Sequence, residues 1–151
     1  MINICNGDIF SIKYDNENIL VHQCNCVTNY AKGLAKTVFD LYPDANIYKS
    51  RNDYSKPGDI NIILPIVNLF GQRLPGKPNK YETKKQRLEW FKICLINLKN
   101  NLPENIKTIN FPWQIGCGLA GGNWDDYLYE INQFASSLPV NIKVNIWKLD
   151  D

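Results

Sequence analysis

The stretch that most constrains this chain is Asn110 to Asp126. Four glycines, Gly116, Gly118, Gly121 and Gly122, lie between an apolar run at Ile106 to Phe111 and an amphipathic run that begins at Asn123. The order is strand, glycine loop, helix. Glycines let a backbone take positive φ and approach a ligand closely, so that successive N–H groups turn toward one anion. The chemistry such a loop suits is a phosphate or diphosphate held by main-chain donors near a helix start. No Lys-Ser or Lys-Thr follows the glycines, against a nucleotide-hydrolysing loop, and the spacing is not Gly-x-Gly-x-x-Gly, against a dinucleotide fingerprint. A glycine turn with a purely structural purpose is the other reading that the spacing allows.

A chain of 151 residues fits one domain, residues 1–151. With 44% hydrophobic residues it reads as a packed globule. A net charge of +2 is too small to imply a nucleic-acid partner. The densest basic cluster, Lys84, Lys85 and Arg87, reads as the solvated face of a helix. Asn3, Asn6 and Asp8 interrupt any N-terminal apolar run and no segment is long enough to span a bilayer, so an intracellular, cytoplasmic protein without a membrane partner is expected. Five cysteines, Cys5, Cys24, Cys26, Cys94 and Cys117, are an odd number and argue against a disulfide framework. His22, Cys24 and Cys26 alternate on one strand face, but no second Cys/His pair completes a metal set.

In chain order, Ile2 to Cys5 is a short strand followed by Gly7, Asp8 and Ile9. Asn18 to Cys26 is a strand with an Ile19, Leu20, Val21 core that ends in His22, Gln23 and Asn25. Polar side chains at the end of an apolar strand are where an open α/β sheet places its ligands. Tyr30 to Ala35 opens a helix with Leu34, Val38, Leu41 and Tyr42 at helical spacing, and Pro43 ends it or starts a short second one. Asp59 to Leu64 and Ile66 to Phe70 are strands that form a tight hairpin or lie as neighbours. Leu74 to Lys80, with two prolines and a glycine, is a surface loop. Thr83 and Gln86 make a capping box for a helix with Leu88, Phe91, Leu95, Leu98 and Leu102 on one stripe. Asn123 caps a helix with Leu128, Ile131, Ala135 and Leu138 inward, and Val140 to Leu149 alternates as a last strand. Strands alternating with helices predict an α/β sandwich.

Five blocks in order carry a resemblance: Gly7 to Ile9, Val21 to Cys26, Lys32 to Ala35, Asn68 to Gln72 and Ile115 to Trp124. Together they resemble a macrodomain, and most of all the branch of ADP-ribose 1″-phosphate phosphatases of yeast, bacteria and phages. The resemblance implies a three-layer α/β/α sandwich around a mixed sheet of roughly six strands. It implies binding of ADP-ribose or its 1″-phosphate over the strand ends; no cofactor and no metal are expected, and the modest charge without an obvious apolar patch suits a monomer. Asp8 would accept from the adenine amino group with Ile9 beside the ring. Asn25 would lie near the distal ribose. Lys32, Gly33, Leu34 and Ala35 would form one phosphate-side loop, and Ile115, Gly116, Cys117, Gly118, Leu119, Ala120 and Gly121 the other.

The resemblance also places His22 where the yeast-type phosphatases hold their functional histidine, as a general base or as a nucleophile toward phosphorus. Related macrodomains that remove ADP-ribose from carboxylates or nucleobases use a lysine after the middle strand and an aspartate after the Gly-Cys-Gly-Leu segment. Here Gln72 stands in or near the first position and Ala120 in the second, which speaks against that route. The expected reaction is hydrolysis of ADP-ribose 1″-phosphate to ADP-ribose and phosphate. Two alternatives stay open: an ADP-ribosyl hydrolase acting on a modified protein or nucleic acid, and a non-catalytic reader of ADP-ribose.

Overall fold

The computed structural model describes residues 2–149. Its elements run β1 (Ile2–Asn6), β2 (Asn18–Gln23), α1 (Gly33–Leu41), β3 (Ile60–Ile63), β4 (Ile66–Leu69), α2 (Lys84–Asn100), β5 (Thr108–Pro112), α3 (Trp124–Ser136) and β6 (Lys143–Lys148). Short 3₁₀ turns at Ile9–Ser11 and Pro43–Ala45 complete the set. The strands form one mixed sheet in the order β1-β6-β5-β2-β4-β3. All neighbours pair parallel except β3 and β4, which form the antiparallel hairpin at one edge. Five strands therefore end at the same edge of the sheet, where a parallel α/β sheet gathers its loops.

Side chains alternate along β2 with the two-residue period of a strand. Ile19 and Val21 join the core made with Phe91, Leu98 and Ile131 from α2 and α3. Leu20 faces the other way, into the core made with Val38 and Phe39 from α1. Helices thus cover both faces, giving the expected three layers. Each fully buried Leu, Ile or Phe in these two cores stabilises the fold by roughly 1.5–3 kcal/mol.

Helix starts follow local chemistry in two cases out of three. Thr83 Oγ1 accepts from Gln86 N at 3.1 Å and caps α2. Asn123 Oδ1 accepts from Asp125 N at 3.0 Å and caps α3, where Asp125 and Asp126 also oppose the positive end of the helix dipole. The first turn of α1 has no side-chain cap.

Several expectations need correction. Arg87 is not on a solvated face: it is 1% exposed and pairs with Glu82, also 1% exposed, at 2.7 Å. On α1 the inward residues are Val38 and Phe39, with Ala35 and Tyr42 packed on the same core, while Leu34 and Leu41 fall outside that stripe and are exposed. β2 ends at Gln23: Cys24 N still bonds Leu69 O of β4, but Cys26 N bonds Arg73 O in the loop beyond it. The last strand starts at Lys143, and Val140 is fully exposed in the turn before it. All five cysteine thiols are free.

Candidate functional site

At the ends of β2 and β5 a cleft of about 740 Å³ opens between the loop after β2, the start of α1, the loop after β4 and the glycine loop. Asn25, Lys32, Gly33, Leu34, Ala35, Gln72 and the run from Ile115 to Ala120 all line it. Two separate loops predicted from sequence therefore face one space. They approach closely: a Cβ on Gly33, whose φ is +59°, would stand 3.4 Å from Leu119 Cδ1.

Several of the donors in this cleft are main-chain amides that meet no acceptor among the described residues. In the glycine loop, Cys117 N, Gly121 N and Gly122 N bond back to Gln114 O, Gly118 O and Gly116 O, which fold the loop on itself. The amides of Gly116, Gly118, Leu119 and Ala120 meet no acceptor among the described residues. Opposite them stands the uncapped start of α1, whose Gly33, Leu34 and Ala35 amides carry the positive end of the helix dipole. Lys32 and Lys77 add positive charge to the lining, and no carboxylate among the described residues lines the cleft. Such donors and cations suit an anion.

Gly116 sets the loop's shape. Its φ is +75° and a Cβ there would lie 2.5 Å from Tyr127 Cε2. Gly118, by contrast, has open space around its Cβ position. Cys117 contributes no nucleophile at neutral pH, because burial pushes its thiol up to about 11.

Asn25 both shapes a turn and lines the cleft. Its Oδ1 accepts from Val27 N and Thr28 N, both at 3.0 Å, and so shapes the turn after β2. Its Nδ2 has no acceptor among the described residues, and the side chain lines the cleft. Arg51 holds that turn from behind, donating to Thr28 O at 3.1 Å and Asn25 O at 3.0 Å while stacking over the Tyr48 ring. Gln72 accepts from Gln23 Nε2 at 2.7 Å and donates to Leu74 O at 2.9 Å, so the two amides lock each other's orientation.

His22 is placed elsewhere. It follows Leu20 on the α1 face of β2, is 0% exposed, and packs edge-on against Phe39 at 5.2 Å between ring centroids. Its Nε2 meets Asn68 Oδ1 at 2.5 Å and it does not line the cleft. Burial lowers its pKa to about 4, with the Asn68 hydrogen bond acting in the opposite direction. An imidazole in this position is a neutral part of the wall behind the site, without the contact that base or nucleophile chemistry requires.

Asp8 and Ile9 also stand apart. Asp8 Oδ1 accepts from Phe10 N at 2.9 Å and caps the 3₁₀ turn after β1, and Ile9 is buried beneath it. They sit at the same sheet edge as the cleft, two strands beyond β5. Gly121 packs on the 74–80 loop, where its Cβ position lies 2.8 Å from Pro78 Cδ, and does not line the cleft.

Sequence reasoning passed over Tyr30, Tyr48, Trp113 and Lys77, all of which line the cleft. Trp113 forms part of the wall, 4.9 Å from Trp124 between ring centroids, with Lys148 Nζ 4.7 Å above its ring. For Lys77, the signal available was its place between two prolines in a loop directly after β4.

No known family profile matches the chain. It is 25% identical over 150 residues to an uncharacterized 17.5 kDa protein in the tk-vs intergenic region of Enterobacteria phage T4, covering 90% of this chain and 91% of that one. Among solved structures it is similar to the macrodomain of Mycobacterium tuberculosis DarG, with a TM-score of 0.76 at 22% identity over 97% of each chain. The macrodomain of Thermus aquaticus DarG gives a TM-score of 0.67 at 17% identity over 98% of each chain. An Oceanobacillus iheyensis macrodomain gives 0.62 at 18% identity, over 98% of this chain and 83% of that one. Likeness of this extent over nearly the whole chain establishes its fold as that of a macrodomain.

Proposed function

We propose that the cleft binds ADP-ribose and that the reaction it supports is release of phosphate from ADP-ribose 1″-phosphate. The observation that carries the binding is the facing pair of donor sets, the uncapped start of α1 and the unpaired amides of the glycine loop. A diphosphate between them would accept from both. The adenosine half would then run along the strand ends toward Asp8, which is two inter-strand spacings, or about 10 Å, from β5. Asn25 Nδ2 is available to a hydroxyl of the distal ribose.

The phosphatase step is supported by charge rather than by a base. Phosphoryl transfer to water passes through a loose transition state whose charge spreads over the equatorial oxygens, so positioned donors and cations supply most of what it needs. Lys32 and Lys77, in a cleft lined by no carboxylate among the described residues, fit that demand. His22 has no part in the proposed step, and it supports β2 and β4 from behind.

The test is calorimetric titration with ADP-ribose beside a phosphate-release assay on ADP-ribose 1″-phosphate. Saturable binding with release is expected. Binding without turnover would leave a reader of ADP-ribose, and absence of binding would overturn the proposal.

A further inference from the structure

The segment after β4 and the glycine loop are 40 residues apart in sequence at Gly76 and Gly116 yet share one anchor. Arg87, in the first turn of α2, donates from Nη1 to Gly76 O at 2.6 Å and to Ala120 O at 2.9 Å. Its Nη2 donates to Leu74 O at 3.1 Å, and its Nε donates to Glu82 Oε2 at 2.7 Å. Glu82 in turn accepts from Arg73 N at 3.1 Å and Leu74 N at 3.2 Å. The turn that aims Glu82 inward is built by Asn79, whose Oδ1 accepts from Tyr81 N and Glu82 N.

We propose that Arg87 is a positioning residue for ligand binding: with Glu82 it fixes the 74–78 segment and the glycine loop as one wall of the cleft. This rests on the reading of the cleft as an ADP-ribose site. A single guanidinium has the planar, multi-donor head that bridging three carbonyls on two loops requires, which an ammonium lacks. Stability alone does not call for the ion pair, since two apolar residues of similar volume in place of a buried pair are often neutral or stabilising. What the pair adds is geometry. It holds Ala120, and with it the free amides of Gly118 and Leu119, against the loop that carries Lys77.

The experiment compares Arg87→Lys, and the double replacement Glu82→Leu with Arg87→Met, with the wild-type protein. Three readouts are needed: ADP-ribose affinity, melting temperature, and amide hydrogen exchange. Arg87→Lys should weaken ADP-ribose at least tenfold and accelerate exchange at Gly121 and Gly122 while the interior of α2, Phe91 to Leu98, stays protected. The double replacement should melt near the wild type without recovering affinity. Unchanged affinity in Arg87→Lys overturns the proposal, as does a loss of affinity accompanied by equal acceleration throughout α2, which is what a merely structural residue would give. If the wild type itself binds no ADP-ribose, the functional reading fails, and exchange at Gly121 and Gly122 alone decides whether Arg87 joins the loops.

Discussion

The His22 imidazole and the Asn68 amide form a hydrogen bond of one fixed direction. Asn68 Nδ2 already donates to Ala45 O and Asn61 Oδ1, each at 3.0 Å, so its Oδ1 must accept, and His22 Nε2 carries the proton. His22 Nδ1 is then a buried lone pair with no partner among the described residues. Protonating it would place an unpaired charge in the core.

Stability should therefore fall as pH drops. The folded-state pKa of His22, about 4, lies below its ordinary 6.5, so the unfolded chain takes up the proton first. Above pH 6.5 both states are neutral at this residue and its contribution is complete. Between pH 6.5 and 4 it is progressively lost. Denaturant midpoints measured across that window should decline more steeply in the wild type than in His22→Gln. Because the chain holds one histidine, equal slopes would locate the pH dependence elsewhere.

Two glycines of the same loop should respond differently. Gly116→Ala places a Cβ 2.5 Å from the Tyr127 ring at a φ of +75°, and should lower stability by about 1–3 kcal/mol. Gly118→Val has open space at its Cβ and should leave the melting temperature within a few degrees, while its side chain crowds the free amides and weakens ADP-ribose at least tenfold. Thermal melts and titration of both variants check the contrast.

Asn25→Asp separates fold from charge. The substituted carboxylate keeps an oxygen for the Val27 and Thr28 amides, so the turn after β2 should persist. It also puts a negative charge into a cleft where no described residue carries one, and a loss of about 1.4 kcal/mol or more, tenfold in affinity, is expected for a diphosphate ligand. Affinity equal to the wild type would show that the ligand's phosphates do not come near Asn25.

Lys32→Gln and Lys77→Gln should each weaken ADP-ribose 1″-phosphate more than ADP-ribose, since the extra phosphate adds charge that a nearby ammonium attracts. Neither lysine has a carboxylate partner among the described residues, so its charge is available to a ligand. The difference should shrink between 0.05 and 0.5 M salt, on the order of what screening of exposed charges predicts. Titration at the two salt concentrations checks this.

What the sequence showed and what it hid divide along physical lines. Strand alternation at Ile19 to Val21 and the caps at Thr83 and Asn123 are local effects, and the elements appear where those effects place them. Arg87 was hidden because its partners, Glu82 aside, are backbone carbonyls, which leave no mark in residue types. Leu34 and Leu41 misled because helical spacing reveals an apolar stripe and not how much of it a neighbour covers. His22 was readable in part: it shares a strand face with Leu20, and that face is covered by α1. The cleft residue Lys77 depends on a fold that brings the loop after β4 against the loop after β5, and no local rule encodes that approach.

The tilted pair of Trp113 and Trp124 gives the cleft an optical signature of its own. One indole lines the space where a ligand would lie, and the other begins α3 directly after the glycine loop. Two chromophores this close couple their ultraviolet transitions, so any shift of the loop that joins them changes the circular dichroism near the indole bands. Such a signal would report movement of the glycine loop without a label, from residues that need no replacement.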